Sequence, residues 1–371
     1  MHSTGLLPAQ DLRALIRSHE VQSVDEIGEA QVQPASIDLR LGDEAWRVRA
    51  SFLPGPEASV EERLAAFAMH RIDLSGGPGC GAVLEKGCVY VVPLLESLAL
   101  KSRTSGIANP KSSIGRLDVF TRLITDRSAV FDQVAAGYKG RLYAEISPRT
   151  FSVVVRRGTS LSQLRLRRGS PSASDTALRR LNEQVRLVDA GQNAADIDAG
   201  IAVTVDLAGK SGRPIGWRAR RHADLIDLEK IGHYDPDAFW EPVFADRHGS
   251  VVLNPGDFYI LASKEAVTVP PDYAAEMRPY DTRVGEFRVH YAGFFDPGFG
   301  FAEAGGTGSR AVLEIRSFEV PFALRDAQVV GRLVYERLTA VPDKLYGSGI
   351  GSSYQRQGLQ LAKHFRPPDA G

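Results

Sequence analysis

The sequence predicts an all-β protein in which one domain occurs twice in tandem. Residues 83–92 return 169 positions later as residues 252–261, with apolar side chains at matching positions. The same offset carries residues 141–146 onto 310–315, and an offset of 168 carries 36–39 onto 204–207. Three blocks in one order at nearly one offset indicate a duplicated domain. Its short apolar runs, separated by glycine and proline, are typical of a β-barrel or sandwich.

The first elements along the chain are a short helix and then strands. Leu12, Leu15 and Ile16 follow Pro8 at helical spacing, which predicts one helix near the start. Apolar runs of strand length come after it at residues 88–92, 142–146 and 151–155.

The middle of the chain has a different character. A serine-rich loop leads to Asp175, which can cap a helix with Leu178 and Leu181 on one face. We therefore predict three parts: a first repeat over 1–168, a linker with a helix over 169–200, and a second repeat over 201–371.

The composition excludes several classes of function. Lys+Arg and Asp+Glu both number 45 in 371 residues, so the chain has no net charge to attract nucleic acid. No apolar run is long enough to span a bilayer or to form a signal peptide, and a membrane partner is not expected. The two cysteines, Cys80 and Cys88, suit a reducing compartment. We expect a soluble, cytoplasmic protein.

A protein-bound zinc ion is not expected either. Cys80 and Cys88 are eight positions apart, so no Cys-x-x-Cys exists, and the eight histidines contain no His-x-x-x-His pair. Any hydrolytic chemistry would then need another group to activate water.

Residues 111–117, Lys-Ser-Ser-Ile-Gly-Arg-Leu, form the segment richest in candidate ligand-binding groups, called here the serine turn. The hydroxyls of Ser112 and Ser113, next to Lys111 and with Arg116 three residues on, can bind phosphate oxygens. The alternative is a polar surface turn with solvated charges.

Glu145 is the candidate acid–base group. It follows Asp132 and Tyr138 in the sequence and lies on a predicted strand, where alternation puts Tyr143 and Glu145 on one face. If that face lines a closed cavity, desolvation raises the carboxyl pKa toward the range useful for proton transfer. The alternative is a glutamate on a solvated face of the sheet.

These motifs resemble the dCTP deaminase and dUTP pyrophosphatase superfamily. The serine turn, the following Tyr138-Lys139-Gly140 and the strand glutamate are similar to that superfamily's central motifs. The segments at residues 34–42 and 71–75 resemble the deaminase branch, and so do Tyr346 and the segment at residues 354–358, which are similar to its C-terminal closing tail.

The resemblance implies two tandem distorted jelly-roll β-barrels of the dUTPase-like type. It also implies hydrolytic deamination of dCTP to dUTP and ammonia, with Mg²⁺ bound through the nucleotide triphosphate and no zinc. Glu145, Ser112 and Arg116 would be catalytic. The substrate-binding residues would be Lys111, Ser113, Asp132, Tyr138, Tyr346, Tyr354 and Gln357. A homo-oligomer with trimer-like packing of barrels is expected.

The second repeat keeps Glu314 but has no paired serines at the corresponding turn. We therefore expect a composite site, with the catalytic groups from the first repeat and the tail from the second. Deletion of everything after Gly347 should then abolish turnover and leave the fold intact.

Three other functions stay open from the sequence. A dUTP pyrophosphatase would use an aspartate such as Asp132 to activate water, and a bifunctional enzyme would perform both reactions. A catalytically silent nucleotide-binding protein is the alternative outside the enzymes.

Overall fold

A computed structural model describes residues 3–76, 79–170, 174–189, 195–209, 213–279, 287–289, 293–304, 307–347 and 358–367. Up to residue 170 the strands are β1 Gly5–Leu6, β2 Val21–Ser23, β3 Ile37–Arg40, β4 Glu44–Val48, β5 Ala68–Asp73, β6 Ala82–Leu84, β7 Val89–Ala99, β8 Thr104–Pro110, β9 Val119–Thr125, β10 Gln133–Val134, β11 Lys139–Pro148, β12 Val153–Val155 and β13 Ser160–Arg168. The strands after it are β14 Ile201–Thr204, β15 Gly216–Ala219, β16 Ile226–Asp227, β17 Trp240–Val243, β18 Ser250–Leu253, β19 Phe258–Val267, β20 Tyr273–Pro279, β21 Phe287–Val289, β22 Phe294–Phe295, β23 Ser309–Ser317, β24 Phe322–Arg325 and β25 Val329–Arg337.

The helices are few and short: α1 Ala9–Arg17, α2 Val60–Phe67, α3 Ser112–Gly115, α4 Asp175–Gln184 and α5 Pro236–Phe239, with 3₁₀ turns at Glu29–Gln31 and Ala302–Ala304. The predicted all-β class is therefore confirmed. Among the described residues, no helix is long and apolar enough to cross a bilayer.

The chain divides into two compact units. Unit 1 contains Met1–Ser170, Asp224–His233 and Leu338–Asp343, and unit 2 contains Pro171–Ala223, Tyr234–Arg337 and Lys344–Gly371. Unit 1 has one sheet ordered β1-β13-β8-β10 with β3 beside β13, one ordered β5-β4-β7-β11-β9 with β2 beside β7, and a small one ordered β16-β12-β6.

Unit 2 has a similar order of strands in three smaller sheets. Its sheets are ordered β14-β25-β20-β22, β17-β15-β19-β23-β21 and β18-β24. The registers also correspond, since Glu145 pairs with Val91 in unit 1 and Glu314 pairs with Ile260 in unit 2. Glu145 lies on β11, which is hydrogen-bonded to β7 and β9. Glu314 lies on β23, which is hydrogen-bonded to β19 and β21.

The helix of the predicted linker is not a separate connecting segment, because α4 is part of unit 2. Leu178 and Leu181 lie in the same apolar core as Ile201 and Leu333. Ser174, rather than Asp175, caps the helix by accepting a hydrogen bond from the backbone N–H of Ala177. The carboxylate of Asp175 instead accepts from the N–H groups of residues 199 and 200. Because its apolar face is buried in that core, α4 packs within unit 2 and is not a free linker between the two repeats.

Two segments of the predicted second repeat belong to unit 1. Strand β16 pairs in parallel with β12, and Arg156 forms a bidentate ion pair with Asp227 at 2.7 and 2.9 Å. In the other segment, Thr339 donates its backbone N–H to the carbonyl of Leu6. These backbone ladders and the ion pair draw residues 224–233 and 338–343 into the first barrel.

The C-terminal segment is packed, which corrects the predicted outcome of truncation. Phe365 is 5% exposed and stands 5.4 Å from the ring of Phe239 and 5.9 Å from that of Trp240. Its backbone forms a bridge with Tyr234. Removal of everything after Gly347 would expose this aromatic cluster, so the fold of unit 2 would not survive that deletion unchanged.

Candidate active site

Glu145 lies in the middle of β11, between β7 and β9. Val91 is its partner on β7 and Arg122 its partner on β9. Alternation directs Leu142, Ala144 and Ile146 into the barrel, where each is at most 1% exposed. Glu145 therefore extends from the opposite face of the sheet, together with Tyr143.

That opposite face is covered by residues 49–59, called here the strap, and by α2. The helix begins at Ser59, whose hydroxyl accepts from the N–H of Glu62 while the Glu62 carboxylate accepts from the N–H of Ser59. Its apolar face packs onto the sheet through Val60 and Leu64. The strap passes beside it, and Phe52 stacks on Phe67 with 5.3 Å between ring centroids. Glu145 is consequently only 4% exposed.

The Glu145 carboxyl has hydrogen-bond donors and two cations around it. Ser51 donates its hydroxyl to Oε2 at 2.7 Å, and the backbone N–H of Phe52 donates as well. Burial raises the pKa of Glu145 above its usual value, although these two donors and the charges of Arg122 and Arg149 act in the opposite direction. The net effect is a pKa above that of a solvated glutamate.

Aromatic rings accompany the two cations. The guanidinium carbon of Arg122 lies 4.8 Å from the ring centre of Phe120 and 4.7 Å from that of Phe131. Arg149 lies 5.5 Å from the same Phe120 ring. Rings and planar guanidinium groups beside a buried carboxyl provide flat surfaces on which a heterocycle can stack.

Asp132 and Tyr138 hold the turns around this face. Asp132 accepts from the N–H of Leu123 at 2.8 Å, and its carboxylate stands 3.7 Å from Arg122. Tyr138 donates its hydroxyl to the carbonyl of Arg141 at 2.6 Å and accepts from the N–H of Asp126. Burial raises the pKa of Tyr138 to about 12. Both residues therefore fix the hairpin that leads into β11.

The serine turn forms α3 and its flanks. Ser113 and Arg116 are buried, whereas Ser112 and Lys111 are partly exposed. Lys111 forms an ion pair with Asp38 on β3, so its ammonium group is held beside the turn. Two hydroxyls and two cations within six residues form a cluster suited to phosphate oxygens.

The serine turn and the Glu145 carboxyl lie at different points of unit 1. Helix α3 leads into β9, whose first residue Val119 pairs with Pro148, three residues beyond Glu145 on β11. Along a strand that separation is about 10 Å. The serine turn therefore precedes the strand that pairs with β11.

The predicted tail residues are in unit 2 or outside the described residues. Tyr346 donates its backbone N–H to the carbonyl of Pro297, and its ring lies 5.6 Å from that of Phe299. Tyr354 and Gln357 lie outside the described residues. In unit 2, Glu314 is buried like Glu145.

Four residues around the Glu145 carboxyl were not predicted from the sequence: Ser51, Phe52, Arg122 and Arg149. No local pattern identifies the strap residues, because Ser51 and Glu145 are 94 positions apart. Arg122 could have been found only from the register of β9 against β11, which places it directly opposite Glu145.

A concavity of about 400 Å³ lies between α2 and the strands β4, β7 and β11. Its polar groups bind one another, since Arg141 donates to Glu61 at 2.9 Å and the indole N–H of Trp46 donates to Glu44 at 3.1 Å. Glu145 is not one of its lining residues. Within the described part of the chain, no cluster of three or more His, Cys, Asp or Glu side chains could hold a metal ion.

Comparisons with known proteins match both halves of the chain to one family. Residues 3–170 match the family model for the 2'-deoxycytidine 5'-triphosphate deaminase N-terminal domain, and residues 174–365 match that for its C-terminal domain. A crystal structure of 2'-deoxycytidine 5'-triphosphate deaminase from Agrobacterium tumefaciens is 54% identical, with a TM-score of 0.85. The match covers 91% of this chain and 100% of that one.

Curated relatives match a shorter region. A dCTP deaminase, dUMP-forming, from Halobacterium salinarum is 35% identical over 119 residues, which is 31% of this chain and 56% of that protein. An enzyme of the same name from Beutenbergia cavernae is 34% identical over 149 residues, covering 38% of this chain and 73% of that protein.

Proposed function

Since the chain belongs to the dCTP deaminase family, we propose that it catalyses the hydrolytic deamination of dCTP to dUTP and ammonia. The mainly β structure and the Agrobacterium neighbour also confirm the predicted dUTPase-like barrels. The observation that carries the proposed reaction is the Glu145 carboxyl, buried on a sheet face with its pKa raised by desolvation.

In the proposed reaction Glu145 acts first as a base and then as an acid. Its carboxylate takes a proton from water, and the resulting hydroxide adds to C4 of the cytosine ring. The same carboxyl gives that proton to the ring nitrogen N3. It then moves the proton of the new C4 hydroxyl to the amino group, so that the C4–N bond breaks, ammonia leaves and the C4 carbonyl forms. One water is consumed and one ammonia released, so the atoms balance. A carboxyl with a raised pKa can serve in both directions near neutral pH.

Arg122 and Arg149 have a supporting role in this proposal. Their charges favour the ionised form of Glu145, which is the form that accepts a proton. The rings of Phe120 and Phe131 beside Arg122 would exclude bulk water from the base. A drier site strengthens each electrostatic contact during proton transfer.

The serine turn would bind the triphosphate. Ser112 and Ser113 donate hydroxyl hydrogen bonds to phosphate oxygens, and Arg116 and Lys111 supply positive charge. The hydroxyls and cations of the turn suit phosphate oxygens better than a metal ion, and the nearby carboxylate of Asp38 is paired with Lys111. Mg²⁺ would accordingly be held through the phosphates of the nucleotide and by water.

Closure of the site is assigned to the tail with Tyr346, Tyr354 and Gln357. Such a segment would exclude solvent once the nucleotide is bound. We propose that the working protein is a homo-oligomer in which this tail completes the site.

A bifunctional enzyme that forms dUMP is the second candidate. The names of the curated relatives favour it, and Asp132 beside Arg122 offers a carboxylate for a second hydrolysis. Two coverages favour the deaminase without the second hydrolysis. The dUMP-forming relatives match 31% and 38% of this chain, whereas the Agrobacterium structure, described as a 2'-deoxycytidine 5'-triphosphate deaminase, matches 91% of it.

One incubation separates the candidates. The protein is mixed with dCTP and Mg²⁺, and ammonia and pyrophosphate are measured separately. Release of ammonia without pyrophosphate is expected. Both products in equal amounts would establish the bifunctional enzyme. Neither product would leave two candidates, the dUTP pyrophosphatase and the silent nucleotide-binding protein.

A further inference from the structure

Ser51 contacts the proposed base from outside the sheet. Its hydroxyl donates to Oε2 of Glu145 at 2.7 Å, and the N–H of the next residue, Phe52, donates to the same carboxyl. Both donors belong to the strap, so the carboxyl is held by a segment that is not part of the barrel. Ser51 itself is exposed, whereas Phe52 is buried. Because Ser51 is exposed, packing against neighbouring side chains does not require a serine at this position.

The strap is fastened on both sides of Ser51. Before it, Arg49 donates its backbone N–H to the carbonyl of Phe67 at 3.1 Å. After it, Gly55 donates to the carbonyl of Ser128 at 3.0 Å, and the Arg63 side chain donates to the carbonyl of Pro54 at 3.1 Å. These bonds tie the strap to α2 and to the turn after β9. The position of the Ser51 hydroxyl is therefore fixed before any substrate arrives.

We propose that Ser51 is a positioning residue for the deamination, because its hydroxyl fixes the orientation of the Glu145 carboxylate that accepts the proton from water. This inference rests on the proposed function. A base must lie within hydrogen-bond reach of the proton it removes, and a carboxylate on a strand can otherwise rotate about its side-chain bonds. The strap thus orients the base before the reaction begins.

The same hydrogen bond affects the pH range of activity. Ser51 donates to the ionised form, so its removal raises the pKa of Glu145 further. The charged groups that face the carboxyl are Arg122 from β9 and Arg149 after β11. Loss of one bond to a charged group corresponds to roughly one pH unit.

The test compares three variants by the pH profile of kcat/KM with dCTP. In Ser51→Ala, the acidic limb should move up by about one pH unit, with about a tenfold loss of rate below it. Ser51→Thr keeps a hydroxyl and should restore the wild-type limb. Ser59→Ala is the matched control, because it removes the cap of α2 and weakens the same cover without contacting Glu145. It should lower the melting temperature and leave the limb in place.

A wild-type limb in Ser51→Ala would overturn the proposal, and so would an equal shift in Ser59→Ala. A direct titration of the carboxyl keeps the inference separate from the function. The carboxyl band of residue 145 is isolated as an infrared difference between each protein and its Glu145→Gln counterpart, and its midpoint should rise in Ser51→Ala. If wild-type protein releases no ammonia, the proposed function fails. If wild-type protein deaminates dCTP while Ser51→Ala changes neither the acidic limb of kcat/KM nor the titration midpoint of the carboxyl, only the inference about Ser51 fails.

Discussion

Substitution of Glu145 by glutamine removes the proposed proton acceptor and changes little else. Glutamine has nearly the same shape, and its amide oxygen can still accept from Ser51 and from the N–H of Phe52. The proposed phosphate-binding groups belong to the serine turn, a separate segment of the chain from β11. We therefore expect the variant to bind dCTP with nearly unchanged KM and to lose kcat.

The size of the loss follows from the role. A positioned general acid–base group contributes about 10²- to 10⁴-fold, or about 2.7–5.4 kcal/mol of activation free energy. Ammonia release at saturating dCTP measures it directly. Glu314→Gln is the matched control, since Glu314 has the same register in unit 2 and should affect turnover less than about twofold. A Glu145→Gln protein with a near-normal rate would refute the assigned role.

The same variant also tests the burial of the Glu145 carboxyl, through the pH dependence of the melting temperature. The pKa of Glu145 is raised by burial, so the folded state binds its proton more tightly than the unfolded chain does. Its stabilising contribution is then complete below the unfolded pKa and is lost as the pH rises through the folded pKa. Glutamine does not titrate, so the Glu145→Gln protein does not lose this stability as the pH rises. From about pH 4 to pH 8 the melting temperature of Glu145→Gln should therefore gain on that of the wild type, and a growing deficit would contradict the buried-carboxyl account.

The remaining predictions concern phosphate binding, the tail and the stability of unit 1. Ser112→Ala should raise KM for dCTP about tenfold through the loss of one bond to charged phosphate, and an unchanged KM would remove it from the site. Combined alanine substitution of Tyr354 and Gln357 should abolish turnover while the melting temperature stays within about 2 °C, since Phe365 remains in place; full activity would exclude the tail. Arg156→Ala leaves Asp227 buried without its bidentate partner, which should destabilise the fold by roughly 2–4 kcal/mol in chemical denaturation. Because the pair lowers the pKa of Asp227, this difference should shrink as the pH falls through that folded pKa, and a pH-independent difference would speak against the ion pair.

Much of the fold was predictable because its signals are local. The alternation in residues 142–146 correctly directs Leu142 and Ala144 into the barrel, since strand geometry fixes the period at two. The spacing of Leu12 and Leu15 likewise predicts the buried face of α1. Patterns of this kind depend only on near neighbours in the chain.

The parts that sequence reasoning missed depend on contacts between distant residues. The strap over Glu145 joins positions 94 residues apart, and the pairing of β16 with β12 crosses from one half of the chain to the other. Phe365 follows a glycine-rich segment that gives no sign of its place in an aromatic cluster. A single sequence carries no pattern for such pairings, because many registers satisfy the same alternation.

The most direct measurement is the position of the cytosine ring in crystals of the Glu145→Gln protein soaked with dCTP and Mg²⁺. The account predicts that C4 of the base lies within reach of the side chain at position 145 through one bound water, with the phosphates at Ser112 and Arg116. A base bound in the concavity beside Trp46, or anywhere away from residue 145, would contradict it.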